Sequence, residues 1–216
     1  DDLVSVIDAM SPDEPVHLVG HDWGSVAAWE AACRVDSDPR VVGRIASLTS
    51  ISGPCLAHVG ALYRAARRAS WRSGDGRRLK RDAATQAVRS WYVVAFRTPL
   101  AERVVRAATR RIVARPSGHG RHFGPTLPDD AVNGLGLYRA NVGHYAPIPG
   151  GPRTDVPTLL VVPLRDRYVR PAMTSQVTRY VPSLERAELD AGHWAMWSRP
   201  DEVAELISAH VARSVP

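Results

Sequence analysis

Two hydrophobic periods alternate near the start of the chain. Residues 2–10 carry apolar side chains at helical spacing, and residues 16–20 form a short apolar run. A helical pattern follows at about 24–35, and a second apolar run covers residues 44–52. The pattern predicts the order helix, strand, helix, strand, with both strands buried.

From about residue 54 to 150 the texture becomes helical. In the segment AERVVRAATRRIVA at residues 101–114, the apolar residues share one helix face and the arginines lie off it. Loop-forming residues interrupt the texture at RPSGHGRHFGPTLPDD, and the run APIPGGPRTDVP is typical of a linker. The middle of the chain is therefore predicted to be a set of helices joined by loops.

Strand-like runs return after the linker. They cover residues 157–164 and 184–190, and an amphipathic helix follows at about 200–214. Strands that alternate with helices predict a parallel α/β sheet, into which the helical middle is inserted as a cap. We therefore expect a first core segment, a helical cap and a second core segment, at residues 1–53, 54–153 and 154–216.

Basic residues are concentrated in the predicted cap. The chain has 216 residues and a formal net charge of +6, but residues 61–121 hold 16 of its 28 Lys+Arg and only three acidic residues. Such a block suits nucleic acid, an anionic membrane surface or an anionic substrate. We favour a solvated helical face, because Lys80 is the single lysine and arginine is the general basic residue of this chain. No nucleic-acid-reading motif accompanies the block, so we expect no nucleic-acid partner, and contact with a membrane surface has no support.

The two cysteines, Cys33 and Cys55, and the eight histidines show no spacing typical of a zinc site, so we expect no metal and no cofactor. No apolar run reaches the roughly 18 residues that suggest a membrane span, and the first residues lack the basic start of a signal peptide. These features favour a cytoplasmic protein with reduced cysteines, with a structural disulfide as the alternative.

The segment HLVGHDWGSVAAWE at residues 17–30 carries the clearest chemical motif. Gly20-His21-Asp22-Trp23-Gly24 has the form Gly-x-nucleophile-x-Gly, between a predicted strand and a predicted helix. Glycines at such a turn allow a close approach of helix and strand, which lifts the middle residue into a site. Alternatively, Asp22 is a helix N-cap, although a cap does not need a glycine on both sides.

A carboxylate at this corner suits displacement at a saturated carbon. An aspartate carboxylate is ionised at neutral pH and needs no general base to become a nucleophile. Attack on a carbon with a strained or good leaving group gives an alkyl ester of the enzyme. Water must then hydrolyse this ester, and that step needs a base.

Two further residues follow predicted strands and can supply the base and the carboxylate that orients it. His193 in DAGHW can take a proton from water, and Asp166 in PLRDRYV can orient the imidazole and stabilise its charged form. Because catalytic groups in open α/β sheets collect at the carboxyl ends of the strands, Asp22, Asp166 and His193 should lie together. The backbone N–H of Trp23 is the expected donor to the oxyanion formed during ester hydrolysis.

These motifs resemble the epoxide hydrolases of the α/β-hydrolase family. GHDWG, a helical insertion, RD after the third strand and AGHW carry the resemblance, and HDWGSVAAWE, SISGP and DRYVRP resemble the hydrolase half of epoxide-hydrolase/short-chain-dehydrogenase fusion proteins. The resemblance implies the C-terminal half of the parallel sheet of the α/β-hydrolase fold, with an inserted helical cap. The strands and the His-Gly-x-Pro loop that precede the nucleophile in this family have no counterpart, so we expect the N-terminal part of the fold to be missing.

The resemblance also implies two proton donors. In epoxide hydrolases two cap tyrosines hold and protonate the epoxide oxygen, and Tyr92 in SWYVVAFRTP and Tyr138 in GLYRAN match these positions. Alternatively, both are ordinary packing residues. The implied reaction is attack of Asp22 on a small-molecule epoxide, followed by hydrolysis of the ester by His193-activated water to a vicinal diol.

Two other functions stay open. Haloalkane dehalogenases share the aspartate and histidine and bind the departing halide with tryptophan N–H groups, a role available to Trp23. The tyrosine pair argues against this function, since a halide needs no protonation. The second alternative is a non-catalytic hydrolase-like protein, because the nucleophile strand would lie at a sheet edge.

Overall fold

The computed structural model describes residues 1–115, 117–143, 148 and 151–214. The chain divides by its internal packing into two compact units. The first unit consists of residues 1–86 and 147–216, and the second of residues 87–146. The expected segments 1–53, 54–153 and 154–216 stay a prediction.

The first unit contains a four-stranded parallel sheet. Its strands are β1 (Val16–His21), β2 (Ile45–Ile51), β3 (Thr158–Pro163) and β4 (Leu184–Leu189), hydrogen-bonded in that order. All three strand pairs are parallel. The four predicted strands and the parallel α/β sheet are therefore confirmed.

The strands differ in how deeply they are buried. Every residue of β3 is buried, and β2 is buried at six of its seven positions. In contrast, β1 forms an edge of the sheet in the described chain, and Val19 on it is 50% exposed. An edge strand leaves one row of backbone N–H and C=O groups without a neighbouring strand.

Helices connect and flank the strands. In the described residues they are α1 (Asp2–Met10), α2 (Trp23–Ala32), α3 (Leu56–Arg68), α4 (Gly74–Arg89), α5 (Trp91–Ala95), α6 (Leu100–Ala114), α7 (Leu127–Asn141), α8 (Ala195–Ser198) and α9 (Pro200–Arg213). Short 3₁₀ turns cover Gly118–His122, Pro171–Thr174 and Val177–Arg179. None of the helices in these ranges combines the length and the apolar character that a bilayer crossing requires.

One core cluster of the first unit lies between the sheet and α9. Val203 is buried among sheet residues such as Leu159 and Val161, and Leu206 and Ile207 pack against the same cluster. These α9 positions are three and four residues apart, so they share one helix face, as the sequence pattern predicts. Their burial fixes the segment between β4 and α9, which carries His193.

Within residues 87–115 and 117–143 the second unit consists of helices joined by turns and short loops, with a small buried core. Leu135 of α7 and Ala101 of α6 are buried in it. Two ion pairs join α6 to α7: Arg106 contacts Asp129, and Arg139 lies 2.7 Å from Glu102. The predicted helical texture of this part is confirmed.

Candidate active site

Asp22 lies on a strained turn between β1 and α2. Its backbone has φ 50° and ψ −119°, a conformation that costs a non-glycine residue about 1–3 kcal/mol. Its N–H donates to the carbonyl of Ile51 at 3.1 Å, and its carbonyl accepts from the N–H of Val26 at 3.0 Å. Within this described turn the Asp22 side chain makes no capping hydrogen bond to α2, and its carboxylate is 41% exposed. The turn therefore presents the carboxylate to its surroundings instead of using it as a cap.

Two glycines allow this turn. A Cβ on Gly20 would lie 2.6 Å from the Cα and N of Ser25, and one on Gly53 would lie 2.3 Å from the carbonyl oxygen of Asp22. Nothing lies within 4 Å of the position of a Cβ on Gly24. The prediction that glycine permits close packing here is confirmed at Gly20 and wrong at Gly24. Gly53, which follows β2, provides the second close approach, because a Cβ there would meet both the turn at Asp22 and the Ser25 side chain of α2.

A buried hydrogen-bond network holds the start of α2 against the end of β2. The hydroxyl oxygens of Ser25 and Ser50 are 2.6 Å apart, and each lies 2.9 Å from the carbonyl oxygen of Gly53. The indole N–H of Trp29 donates to the Ser50 hydroxyl at 2.9 Å. Sequence reasoning did not identify this network, since its members are separated by up to 28 residues. It fixes the elbow that bears Asp22.

His193 lies between two carboxylates. Its Nδ1 is 3.1 Å from Asp166 Oδ2, and its Nε2 is 3.6 Å from Asp22 Oδ2. The Asp166 side chain is fully buried, and its other oxygen accepts from the backbone N–H groups of Tyr168 at 2.7 Å and Val169 at 3.0 Å. The structure thus brings together Asp22, Asp166 and His193, which follow β1, β3 and β4. Asp166 orients the imidazole, and the opposite nitrogen faces Asp22.

The carboxylates control the charge of the imidazole. Burial acts to lower the pKa of His193, but the hydrogen bond to Asp166 and the nearby Asp22 carboxylate outweigh this and raise the pKa to about 9. Burial acts in the opposite direction on Asp166, yet the hydrogen bond and charge of His193 and the two backbone N–H groups lower the pKa of this carboxyl. In this state of the site His193 carries a proton at neutral pH.

Polar and aromatic groups that the motifs did not assign surround His193. His21 Nε2 donates to the His193 carbonyl at 3.0 Å, and the Ser52 hydroxyl donates to it at 3.3 Å. The rings of His21, Tyr168 and Trp194 have centroids 4.7, 4.8 and 5.2 Å from that of His193. Burial and the charge of His193 lower the pKa of His21. His21 is part of the GHDWG motif, and Ser52 and Tyr168 are part of the SISGP and DRYVRP segments, but the sequence analysis assigned none of the three a role in the site.

The remaining candidate residues lie as follows. Trp23 is the first residue of α2, directly after Asp22, where its backbone N–H is at the positive end of the helix dipole. Tyr92 in α5 and Tyr138 in α7 belong to the second unit, and their ring centroids are 6.2 Å apart at an interplanar angle of 78°. Phe96 packs edge-on against both rings. The two tyrosines therefore form one aromatic cluster, although 45 residues separate them in the sequence.

Comparison with known proteins places this geometry in a family. Residues 1–206 match the model of the "Alpha/beta hydrolase family". The chain is 36% identical over 224 residues to the "Probable oxidoreductase EphD" of Mycobacterium bovis and to that of Mycobacterium tuberculosis, a match over 96% of this chain and 36% of each relative. The chain thus spans about a third of the length of these curated relatives.

Solved structures share the fold. A Bacillus megaterium epoxide hydrolase bound to an inhibitor superposes with a TM-score of 0.69 at 18% identity, over 98% of this chain and 74% of that one. Epoxide Hydrolase A from Mycobacterium thermoresistibile superposes with a TM-score of 0.54 at 20% identity, over 96% and 72% of the two chains. The parallel sheet and the helices are those of the α/β-hydrolase fold, and the chain belongs to the alpha/beta hydrolase family.

Proposed function

We propose that this protein hydrolyses epoxides through an ester formed on Asp22. One observation carries the proposal: His193 lies between Asp166 and Asp22, and the Asp22 carboxylate is partly exposed and makes no capping hydrogen bond to α2. The fold shared with epoxide hydrolases supports the choice of reaction. The substrate is a small-molecule epoxide, and water is the second reactant.

In the first step, an oxygen of the Asp22 carboxylate attacks a carbon of the epoxide ring. A carbon–oxygen ester bond forms while the ring carbon–oxygen bond breaks, and the leaving oxygen needs a proton. Tyr92 and Tyr138 are our candidates for the proton donors. Their ring centroids lie 6.2 Å apart in one cluster, and in the proposed reaction both hydroxyls contact the leaving oxygen.

In the second step, His193 removes a proton from water, and the resulting hydroxide attacks the Asp22 carboxyl carbon. Formation of the ester itself prepares His193 for this role. The ester carries no negative charge, so one of the two carboxylates that raise the pKa of His193 disappears. The pKa of the imidazole then falls, and the neutral form needed for base catalysis becomes more populated.

Hydrolysis passes through a tetrahedral oxyanion on the Asp22 side chain. The Trp23 backbone N–H, next to the nucleophile and at the start of α2, is the proposed donor to this charge. Collapse of the intermediate restores the carboxylate and releases a vicinal diol, and the proton that His193 took from water returns through solvent to the tyrosinate left by ring opening. Asp166 keeps the imidazole oriented and stabilises its charged form throughout.

Replacement of the nucleophile tests the function. We expect the purified chain to convert a styrene-oxide-type epoxide to its diol, and Asp22→Ala to abolish this conversion. Asp13→Ala is a matched control, because Asp13 is an exposed carboxylate before β1, outside the site. Diol formation by Asp22→Ala, or no turnover by the correctly folded unsubstituted chain, would contradict the proposal.

Replacement of both tyrosines by phenylalanine distinguishes the epoxide hydrolase from a haloalkane dehalogenase. Tyr92→Phe and Tyr138→Phe keep the ring cluster but remove the hydroxyls. We expect the double variant to open epoxides about 10²-fold more slowly, the lower range for loss of general-acid catalysis. Halide release from a haloalkane that is unaffected by these changes, without diol formation from epoxides, would favour the dehalogenase.

A further inference from the structure

A second buried cluster lies outside the catalytic residues. Cys33 follows the end of α2, Cys55 directly precedes α3, and His58 is in the first turn of α3. One ligand atom from each side chain lies within 4.8 Å of the other two. The three residues are 5%, 2% and 1% exposed, respectively, and both cysteines are free thiols. The mechanism proposed above uses none of them.

The His58 ring is held in the orientation of a metal ligand. Its Nε2 donates to the carbonyl oxygen of Pro152 at 2.7 Å, so the neutral ring carries its lone pair on Nδ1. Nδ1 is buried and has no hydrogen-bond partner of normal geometry in the described part of the chain. A metal-bound histidine typically donates its other ring N–H to a carbonyl or carboxylate, which fixes the tautomer and the ring plane.

Aromatic rings fix the same imidazole from two sides. Tyr180 stacks on His58 with a centroid distance of 4.6 Å and an interplanar angle of 13°, and Trp29 meets it edge-on at 5.3 Å. The ring therefore has little freedom to turn Nδ1 toward another partner. An oriented, buried nitrogen without a hydrogen bond is costly unless a ligand engages it.

The two cysteine sulfurs complete the set of potential metal ligands around His58. Cys33 and Cys55 each place a sulfur within 4.8 Å of the other sulfur and of a ring nitrogen of His58. Two thiols and an imidazole are soft and borderline ligands, the set that selects zinc-class ions over Mg²⁺ or Ca²⁺.

We propose that Cys33, Cys55 and His58 bind a thiophilic divalent cation of the zinc class. Binding converts both thiols to thiolates and releases two protons, while the neutral His58 binds through Nδ1. Two thiolates and one divalent ion leave no net charge, which favours the site in an apolar interior. Three protein ligands leave one position of a tetrahedral ion for a water molecule or a carbonyl oxygen.

The cluster was not predictable from sequence spacing. Cys33 and Cys55 are 22 residues apart, and only Cys55 and His58 have a separation common in metal motifs. The fold joins them because α2 and α3 flank β2, whose two ends connect to these helices. The proposal departs from the expectation of no metal, which was based on sequence spacing alone.

Cobalt binding tests this proposal on the whole chain. Co²⁺ added to the fully reduced protein should bind with a 1:1 stoichiometry and give a sulfur-to-cobalt charge-transfer band, which Zn²⁺ should then remove by displacement. Cys33→Ser, Cys55→Ser and His58→Gln should each weaken binding by at least about 100-fold, since loss of an outer-shell partner alone costs about 10–100-fold.

His17→Gln is a matched control for the histidine change. His17 is also a partly buried histidine in the first unit, hydrogen-bonded to Ser47 at 2.7 Å, and its loss should leave cobalt binding unchanged. The absence of a charge-transfer band in the reduced, unsubstituted chain would overturn the proposal, whether or not the variants fold. An unchanged band in folded His58→Gln would overturn it as well.

Discussion

Two buried histidines in the same unit have different surroundings. His193 is held at Nδ1 by the Asp166 carboxylate, whereas His58 is held at Nε2 by the neutral carbonyl of Pro152. The other ring nitrogen of His193 lies 3.6 Å from a second carboxylate, Asp22, whereas a ring nitrogen of His58 lies within 4.8 Å of two sulfurs. The comparison shows that the neighbours, more than the histidine itself, select the chemistry.

The charge of the group that is hydrogen-bonded to each imidazole accounts for the difference between His193 and His58. A carboxylate stabilises an imidazolium, so His193 is suited to accept and return protons. A carbonyl oxygen orients a neutral ring without favouring its protonation, which suits a metal ligand. The two sites are close neighbours: Trp29 packs against His58 and also donates to Ser50, which lies beside Ser25 of the nucleophile turn.

Exchange of each histidine for glutamine should have the largest effect and tests whether the two histidines have different roles. His193→Gln should lower multiple turnover of an epoxide by about 10²–10⁴-fold, because it removes the base for the second step and leaves ring opening possible. The ester should then accumulate and add the mass of one substrate molecule to the protein. Intact-protein mass spectrometry measures this adduct.

His58→Gln is the matched variant, and it should show no accumulated ester under the same conditions. An adduct in His58→Gln, or none in folded His193→Gln, would contradict the separate roles of the two histidines.

Glycine substitutions test how tightly the nucleophile turn is packed. This turn bears Asp22, the second carboxylate beside His193. Gly53→Ala should destabilise the fold by about 1–3 kcal/mol, since its Cβ would lie 2.3 Å from the Asp22 carbonyl oxygen. Gly24→Ala is the control: it has open space and lies in α2, so we expect between no change and about 1 kcal/mol of stabilisation. Urea-induced unfolding measures both changes, and equal effects of the two would show that the turn is not constrained as described.

The pH dependence of stability sharpens the role of Asp166. The pKa of His193 is raised from 6.5 to about 9 in the folded protein. Its contribution to the free energy of unfolding is therefore fully present below about pH 6.5 and is lost as the pH rises through 9. The contribution is on the order of 2 kcal/mol once the exposure of Asp22 is allowed for. Asp166→Asn removes one carboxylate and should lower the pKa of His193. The loss of stability with rising pH should then be smaller.

NMR titration of the His193 ring proton and unfolding at several pH values measure these two effects. The Asp13→Ala variant controls for the loss of one negative charge from the protein. An unchanged His193 titration in Asp166→Asn would show that Asp166 does not set the charge of this imidazole.

The sequence predicted the parts of the site that depend on local pattern. Strand-like runs located all four strands, and because functional groups collect at the ends of parallel strands, Asp22, Asp166 and His193 were expected to meet. Gly53 and Ser52 could not be identified in this way. Their roles depend on contacts between β2 and its neighbours, which leave no periodic signal.

The Cys33, Cys55 and His58 cluster escaped prediction for a similar reason. Its members come from the end of one helix and the start of another, and the burial that brings them together depends on how both helices pack on the sheet. The strain at Asp22 was likewise invisible in the sequence, although the glycine before it indicated a tight turn. Local patterns therefore located the reactive groups, and tertiary packing determined their surroundings.

Oxygen-isotope labelling under single-turnover conditions tests directly whether the reaction passes through an ester on Asp22. Excess protein is mixed with an epoxide in water enriched in ¹⁸O, and the peptide that contains Asp22 is then analysed by mass spectrometry. If water attacks the carboxyl carbon of an Asp22 ester, one heavy oxygen enters Asp22 and the first diol formed carries none. Heavy oxygen in that diol, with none in Asp22, would show direct attack of water on the epoxide and would contradict the proposed mechanism.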